Sequence, residues 1–119
     1  MNSRTYFRRR IAALFSTCCL AAPAFSAPAA AAPIDGQRQT ELVRLVRQDC
    51  GACHGLTLQG GLGPALLPAV LAGKPADSLA ATILHGRPGS AMPPWRRFLN
   101  EAEADWIVAN LKKGFPHER

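Results

Sequence analysis

A small all-α domain is the fold class this sequence predicts, and three observations carry it. Three stretches place apolar residues at helical spacing, no stretch alternates apolar and polar residues with period two, and glycines and prolines fill the segments between. The chain has 119 residues, 48% of them apolar and 18% charged, so one domain is the expectation.

Arg4, Arg8, Arg9 and Arg10 crowd the first ten positions, which hold no acid, and an apolar run follows over residues 11–25. That layout predicts an export signal. The run is about 15 residues long and is interrupted by Ser16, Thr17 and Pro23, too short and too broken to remain as a membrane span. Ala24 and Ser26 offer small side chains for a cut near Ser26. Residues 1–26 are therefore read as a cleaved signal, 27–36 as an Ala/Pro-rich linker and 37–119 as the folded domain. A lipoprotein would need Leu three residues before its cysteine, but Cys18 has Phe15 there and Cys19 has Ser16. The paired arginines raise a twin-arginine route, which carries folded cargo. The site described next must be assembled after export, so the general secretory route fits better. The expected mature form is a periplasmic monomer without a membrane anchor.

Cleavage changes the balance of the chain. The formal charge of +6 falls to +2, ten Lys and Arg against eight Asp and Glu, which removes the support for a nucleic-acid partner. Cys18, Cys19 and Met1 leave with the signal, so Cys50, Cys53 and Met92 are the mature sulfur residues. A domain of about 90 residues has a marginal core and calls for a staple.

Leu42, Val43, Leu45 and Val46 predict an amphipathic helix over residues 37–48 that runs into Cys50. Gly60, Gly61, Gly63, Pro64 and Pro68 predict mostly loop, with room for a helical turn or two over residues 65–71. Pro75 followed by Leu79, Ile83 and Leu84 predicts a short second helix ending at Gly86, with the proline in its first turn. Residues 87–94 read as an extended loop. Asn100 and Glu103 form a capping-box pattern ahead of Trp106, Ile107 and Leu111, and Lys112, Lys113 and Gly114 mark the end of a third helix.

Cys50-Gly51-Ala52-Cys53-His54 is the C-x-x-C-H pattern of covalent haem attachment. Two residues between the cysteines set both sulfurs on one side of a helical turn, within reach of two vinyl groups of one porphyrin, and His54 can turn back to the iron. Zinc would want a second pair of ligands, which His85 and His117 do not supply. A thioredoxin-like pair would want strands. Gly60, Gly61 and Gly63 have no strand before them and no Lys-Ser/Thr after them, so a phosphate loop is excluded. Met92, held between Ala91 and the Pro93-Pro94 pair, is the candidate sixth ligand, and His85 is its rival. Arg87, Trp95 and Arg96, with Arg97, flank this loop and could bind haem propionates or meet an acidic partner.

These residues, with Gly63-Pro64-Ala65-Leu66 and the last helix, resemble a class I monohaem cytochrome c over nearly all of the mature chain. The resemblance implies N- and C-terminal helices packed crosswise around one covalent haem c. It also implies that a proline carbonyl, here that of Pro64, accepts the Nδ1 hydrogen bond of His54. Residues 51–64 and 83–95 resemble more narrowly the cytochromes of the c55X type, small periplasmic proteins associated with the haem-d-containing nitrite reductase of denitrifying bacteria. That resemblance implies a one-electron carrier with His54 and Met92 on the iron, not an enzyme, and nitrite reductase as its partner. The alternatives are an accessory factor that matures or inserts the reductase's haem d, and a carrier for another periplasmic oxidoreductase.

Overall fold

The computed structural model describes residues 33–116, so the signal, its cut site, most of the linker and His117 lie outside the described residues. Asp35 begins the first helix by accepting the amide of Arg38 at 2.8 Å, which satisfies one of the unpaired donors at a helix start. This helix, α1, spans Gly36–Leu45 and continues as a π-helical turn over Val46–Cys50 and a last turn, α2, over Gly51–His54. The helical path thus runs through the cysteines instead of ending before them. No proline interrupts residues 46–54, and Gly55, at φ 82°, stops the path. Then come α3 (Pro68–Leu71), α4 (Ala76–His85) and α5 (Glu101–Lys113), and no strand occurs among the described residues. Pro75 stands just outside α4, at its N-cap, rather than inside its first turn.

Leu42 and Val46 from the first helical path meet Ala104, Ile107, Val108 and Leu111 of α5 in one buried cluster, joined by Ala80 and Leu84 of α4 and by Leu71 and Leu99. The α5 stripe therefore runs through positions 104, 107, 108 and 111. Trp106 lies at its flank, half-buried and edge-on to Phe115 at 6.2 Å between ring centres. In α4 the fully buried residues are Ala80 and Leu84, with Leu79 and Ile83 packed beside them.

Two arginines join the ends of α1 and its continuation to the C-terminal part. Arg38 Nε donates to Glu103 Oε1 at 2.6 Å, its Nη1 to Glu41 Oε2 at 3.0 Å and its Nη2 to the Phe98 carbonyl at 3.1 Å. Arg47 donates to the carbonyls of Phe115 at 2.7 Å, Pro116 at 2.9 Å and Leu56 at 3.3 Å, while its guanidinium lies over the Phe115 ring. Glu103 serves twice, because its other oxygen accepts the Asn100 amide at 2.8 Å while the Asn100 side chain accepts the Glu103 amide at 2.9 Å. The capping box read from the sequence is thus present, and it carries the link to α1 as well.

The Arg38 guanidinium holds the buried Glu103 carboxyl below the usual carboxylate range. Its native pKa being depressed, the stabilisation is complete above the unfolded carboxylate value and is lost as pH falls through the lower native one. Glu103→Gln keeps a cap acceptor but loses the ion pair, and it should cost about 1–3 kcal/mol at neutral pH. Denaturant unfolding should show the gap to the parent protein closing as the solution is acidified.

Candidate haem site

The carbonyls of Cys53 and His54 would be left unpaired at the end of α2, and the loop that follows returns to take them. Gly63 N donates to Cys53 O and Gly60 N to His54 O, each at 2.8 Å. The return brings backbone against side chain so closely that a Cβ on Gly63 would lie 2.8 Å from both Nδ1 and Cε1 of the His54 ring. Leu58, in the left-handed region at φ 61°, buries its side chain beneath this turn. Gly60 and Gly63 therefore build a close-fitting collar around the histidine.

The collar sets the Pro64 carbonyl 2.6 Å from His54 Nδ1. A carbonyl can only accept, so Nδ1 carries a proton, and Nε2 is the nitrogen left for the metal. His54 is 8% exposed. It lines a cavity of about 870 Å³ together with Cys50, Cys53 and Met92, and Ile107, Val108 and Leu111 form part of its apolar wall. No disulfide joins Cys50 to Cys53. Burial, helped by the neighbouring Asp49, pushes the Cys50 thiol up to about 11.

Met92 reaches the cavity because α4 ends as α2 does. Gly86, at φ 69°, turns the chain, and the amides of Trp95 and Arg96 come back to the carbonyls of Ile83 at 3.1 Å and Leu84 at 3.2 Å. Of the two rival sixth ligands, Met92 lines the cavity and His85 does not. His85 is exposed, with Nε2 3.4 Å from Arg96 Nη2. Arg87 and Trp95 also line the cavity. Arg96 does not: its guanidinium lies 3.4 Å from Glu101, at a shallow groove it shares with Arg38 and Phe98. Asp49, Lys74, Ser78 and Thr82 line the cavity too, unforeseen from the sequence. The signal for two of them was present, since Ser78 and Thr82 are four apart and flank Leu79 and Ile83 on α4.

Two thiols, an imidazole with one nitrogen committed and a thioether, gathered in one apolar cavity of small-molecule size, fit a covalently attached haem. Among the described residues no group of three or more His, Cys, Asp or Glu forms an alternative metal site. The sequence matches the family model described as "Cytochrome C oxidase, cbb3-type, subunit III" over residues 37–111. It is 55% identical over 87 residues to cytochrome c55X of Stutzerimonas stutzeri, covering 73% of this chain and 76% of that one. The chain belongs to the cytochrome c55X family of c-type cytochromes. Its cofactor is one covalently bound haem c. Cytochrome c55X of Paracoccus denitrificans is 53% identical over 71% of this chain and 82% of its own. Among solved structures the c-type cytochrome NirC superposes with a TM-score of 0.67 at 54% identity, covering 68% of this chain and 95% of NirC. The dihydro-heme d1 dehydrogenase of Pseudomonas aeruginosa is 47% identical over 62% of this chain but only 15% of its own length.

Gly63→Ala sets the added methyl against the His54 ring and should destabilise the holoprotein by about 1–3 kcal/mol, the usual cost of overpacking. It should also loosen the Nδ1 bond to Pro64 and lower haem loading. Denaturant unfolding and the haem-to-protein absorbance ratio of the purified protein check the two effects.

Proposed function

We propose that the chain is an exported, periplasmic one-electron carrier whose haem iron is held by His54 and Met92, and that it donates electrons to a haem-d-containing nitrite reductase in denitrification. The observation that carries this reading is that His54 and Met92 line the same cavity as the Cys50 and Cys53 thiols. Two axial side chains leave no position for a substrate, so no catalytic residue is assigned.

In this reading Cys50 and Cys53 make the two thioether attachments. His54 offers Nε2 to the metal while Pro64 holds the ring against rotation and raises its basicity. When bound, haem c supplies the reversible exchange of a single electron. Met92 adds a neutral thioether, which favours the reduced metal and raises the potential. The aliphatic wall from α5 keeps water from the centre. Among the described residues no helix is long and apolar enough to cross a membrane.

A second reading has one observation in its favour. A stretch similar to most of this chain also occurs within a dihydro-heme d1 dehydrogenase, and the solved structure of NirN, a protein of that name, is a complex with DHE. By that analogy the chain would exchange electrons during completion of the reductase's haem d instead of serving the finished enzyme. Deleting the gene and assaying purified nitrite reductase separates the two. Full haem-d content with slowed electron delivery supports the donor, and missing haem d supports the maturation role. Normal content with normal delivery overturns both.

The ligand set has its own test. Met92→Ala should abolish the weak red sulfur-to-iron charge-transfer absorption of the oxidised protein, lower the potential and admit small ligands. His85→Ala should leave all three as they are. The reverse pattern would require a bis-histidine centre.

A further inference from the structure

The loop that carries Met92 is closed on itself. Ser90 N donates to Arg87 O at 3.0 Å, with Pro88 second and Gly89, at φ 77°, third in the turn. Arg87 N donates to Met92 O at 3.2 Å, which closes residues 87–92 into a ring. Within it the Ser90 hydroxyl donates to Arg87 O at 2.8 Å and accepts the Met92 amide at 3.3 Å. A Cβ on Gly86 would lie 2.7 Å from Met92 O, so the ring is seated directly on the end of α4.

A thioether is a weak, uncharged donor on a side chain with three rotatable bonds. Its hold on a metal therefore depends on how firmly its own backbone is placed. Pro93 and Pro94 restrict the chain after Met92. Before it, two backbone bonds close the ring, and the Ser90 hydroxyl is the one side-chain group that ties the turn to the Met92 amide. We propose that Ser90 is the positioning residue for the Met92 ligand, fixing its amide so that the side chain meets the iron without searching. This rests on the reading that Met92 binds iron.

Imidazole titrated into the oxidised holoprotein competes with Met92 and reports the strength of its bond. Ser90→Ala should bind imidazole about three- to tenfold more tightly than the parent, the effect of one lost hydrogen bond. Ser90→Thr restores a hydroxyl and should return the affinity close to the parent's. Thr40→Ala removes a comparable hydroxyl, one that donates to Gly36 O at 2.9 Å in α1, and should leave the affinity unchanged. The proposal is overturned if Ser90→Ala binds imidazole as the parent does while Met92→Ala binds it freely. It is equally overturned if Thr40→Ala shifts the affinity as far as Ser90→Ala, since the effect is then general loss of stability. If Met92→Ala itself binds imidazole no better than the parent, the ligand assignment fails and takes this proposal with it.

Discussion

The hydrogen bond between His54 Nδ1 and the Pro64 carbonyl, at 2.6 Å, is the constraint around which the first half of the fold is arranged. It joins residues ten apart in sequence, so the chain between them has to double back in a small space. Gly55 reverses the direction, Gly60 and Gly63 return their amides to the end of α2, and Gly63 lets the backbone pass against the imidazole ring. A side chain at Gly55 would meet the Gly60 carbonyl at 2.6 Å, and one at Gly61 the Cys53 carbonyl at 2.8 Å. A histidine so tightly enclosed cannot rotate its ring, and the nitrogen it presents to the cavity is chosen by the carbonyl on its other side.

The helices supply the frame against which this enclosure is built. The buried cluster shared by α1, α4 and α5 is modest, as the size of the domain requires, and polar contacts tie its periphery. Arg38 joins the start of α1 to the start of α5, Arg47 fastens the segment after α5, and Lys112 Nζ reaches the Lys74 carbonyl at 2.6 Å. These donors reach carboxylates and loop carbonyls that no helix pairs, so three long cations hold segments that so small a core does not reach.

Much of this was legible in the sequence, where the local signal and the tertiary demand agree. Asn100 and Glu103 announced the start of α5, and the C-x-x-C-H pattern announced the cofactor, because both depend on spacing along one helix. The π-helical turn over Val46–Cys50 was not legible, since hydrophobic period says nothing about which carbonyl an amide selects. Trp106 was expected in the buried stripe with Ile107 and Leu111, but the stripe takes Ala104, Ile107, Val108 and Leu111 and leaves the indole half-buried at its side. The arginines after Trp95 were legible as charges, yet that Arg96 stands beside His85 and Glu101 is a tertiary placement that no pattern in the ligand loop reveals. Ser78, Thr82 and Lys74 were passed over because polar residues on a short helix or in a loop ordinarily face water.

A common device presents both candidate axial residues. Each of the two helices ends at a glycine with positive φ, Gly55 after α2 and Gly86 after α4. After each, the loop swings out and returns to donate two amides to the last carbonyls of the helix it has just left: Gly63 and Gly60 at the first, Trp95 and Arg96 at the second. The carbonyl end of a helix is where unsatisfied acceptors gather, so it is a ready anchor for any loop that can bring donors back. In the first loop the return sets Pro64 behind the ring of His54, the residue at the end of the helix. In the second the loop itself carries Met92, and the ring of hydrogen bonds from Arg87 to Met92 stiffens it before it reaches the cavity. Fastening each loop to the end of the helix before it lets a domain with little core present His54, at a helix end, and Met92, on a stiffened loop, to the same cavity.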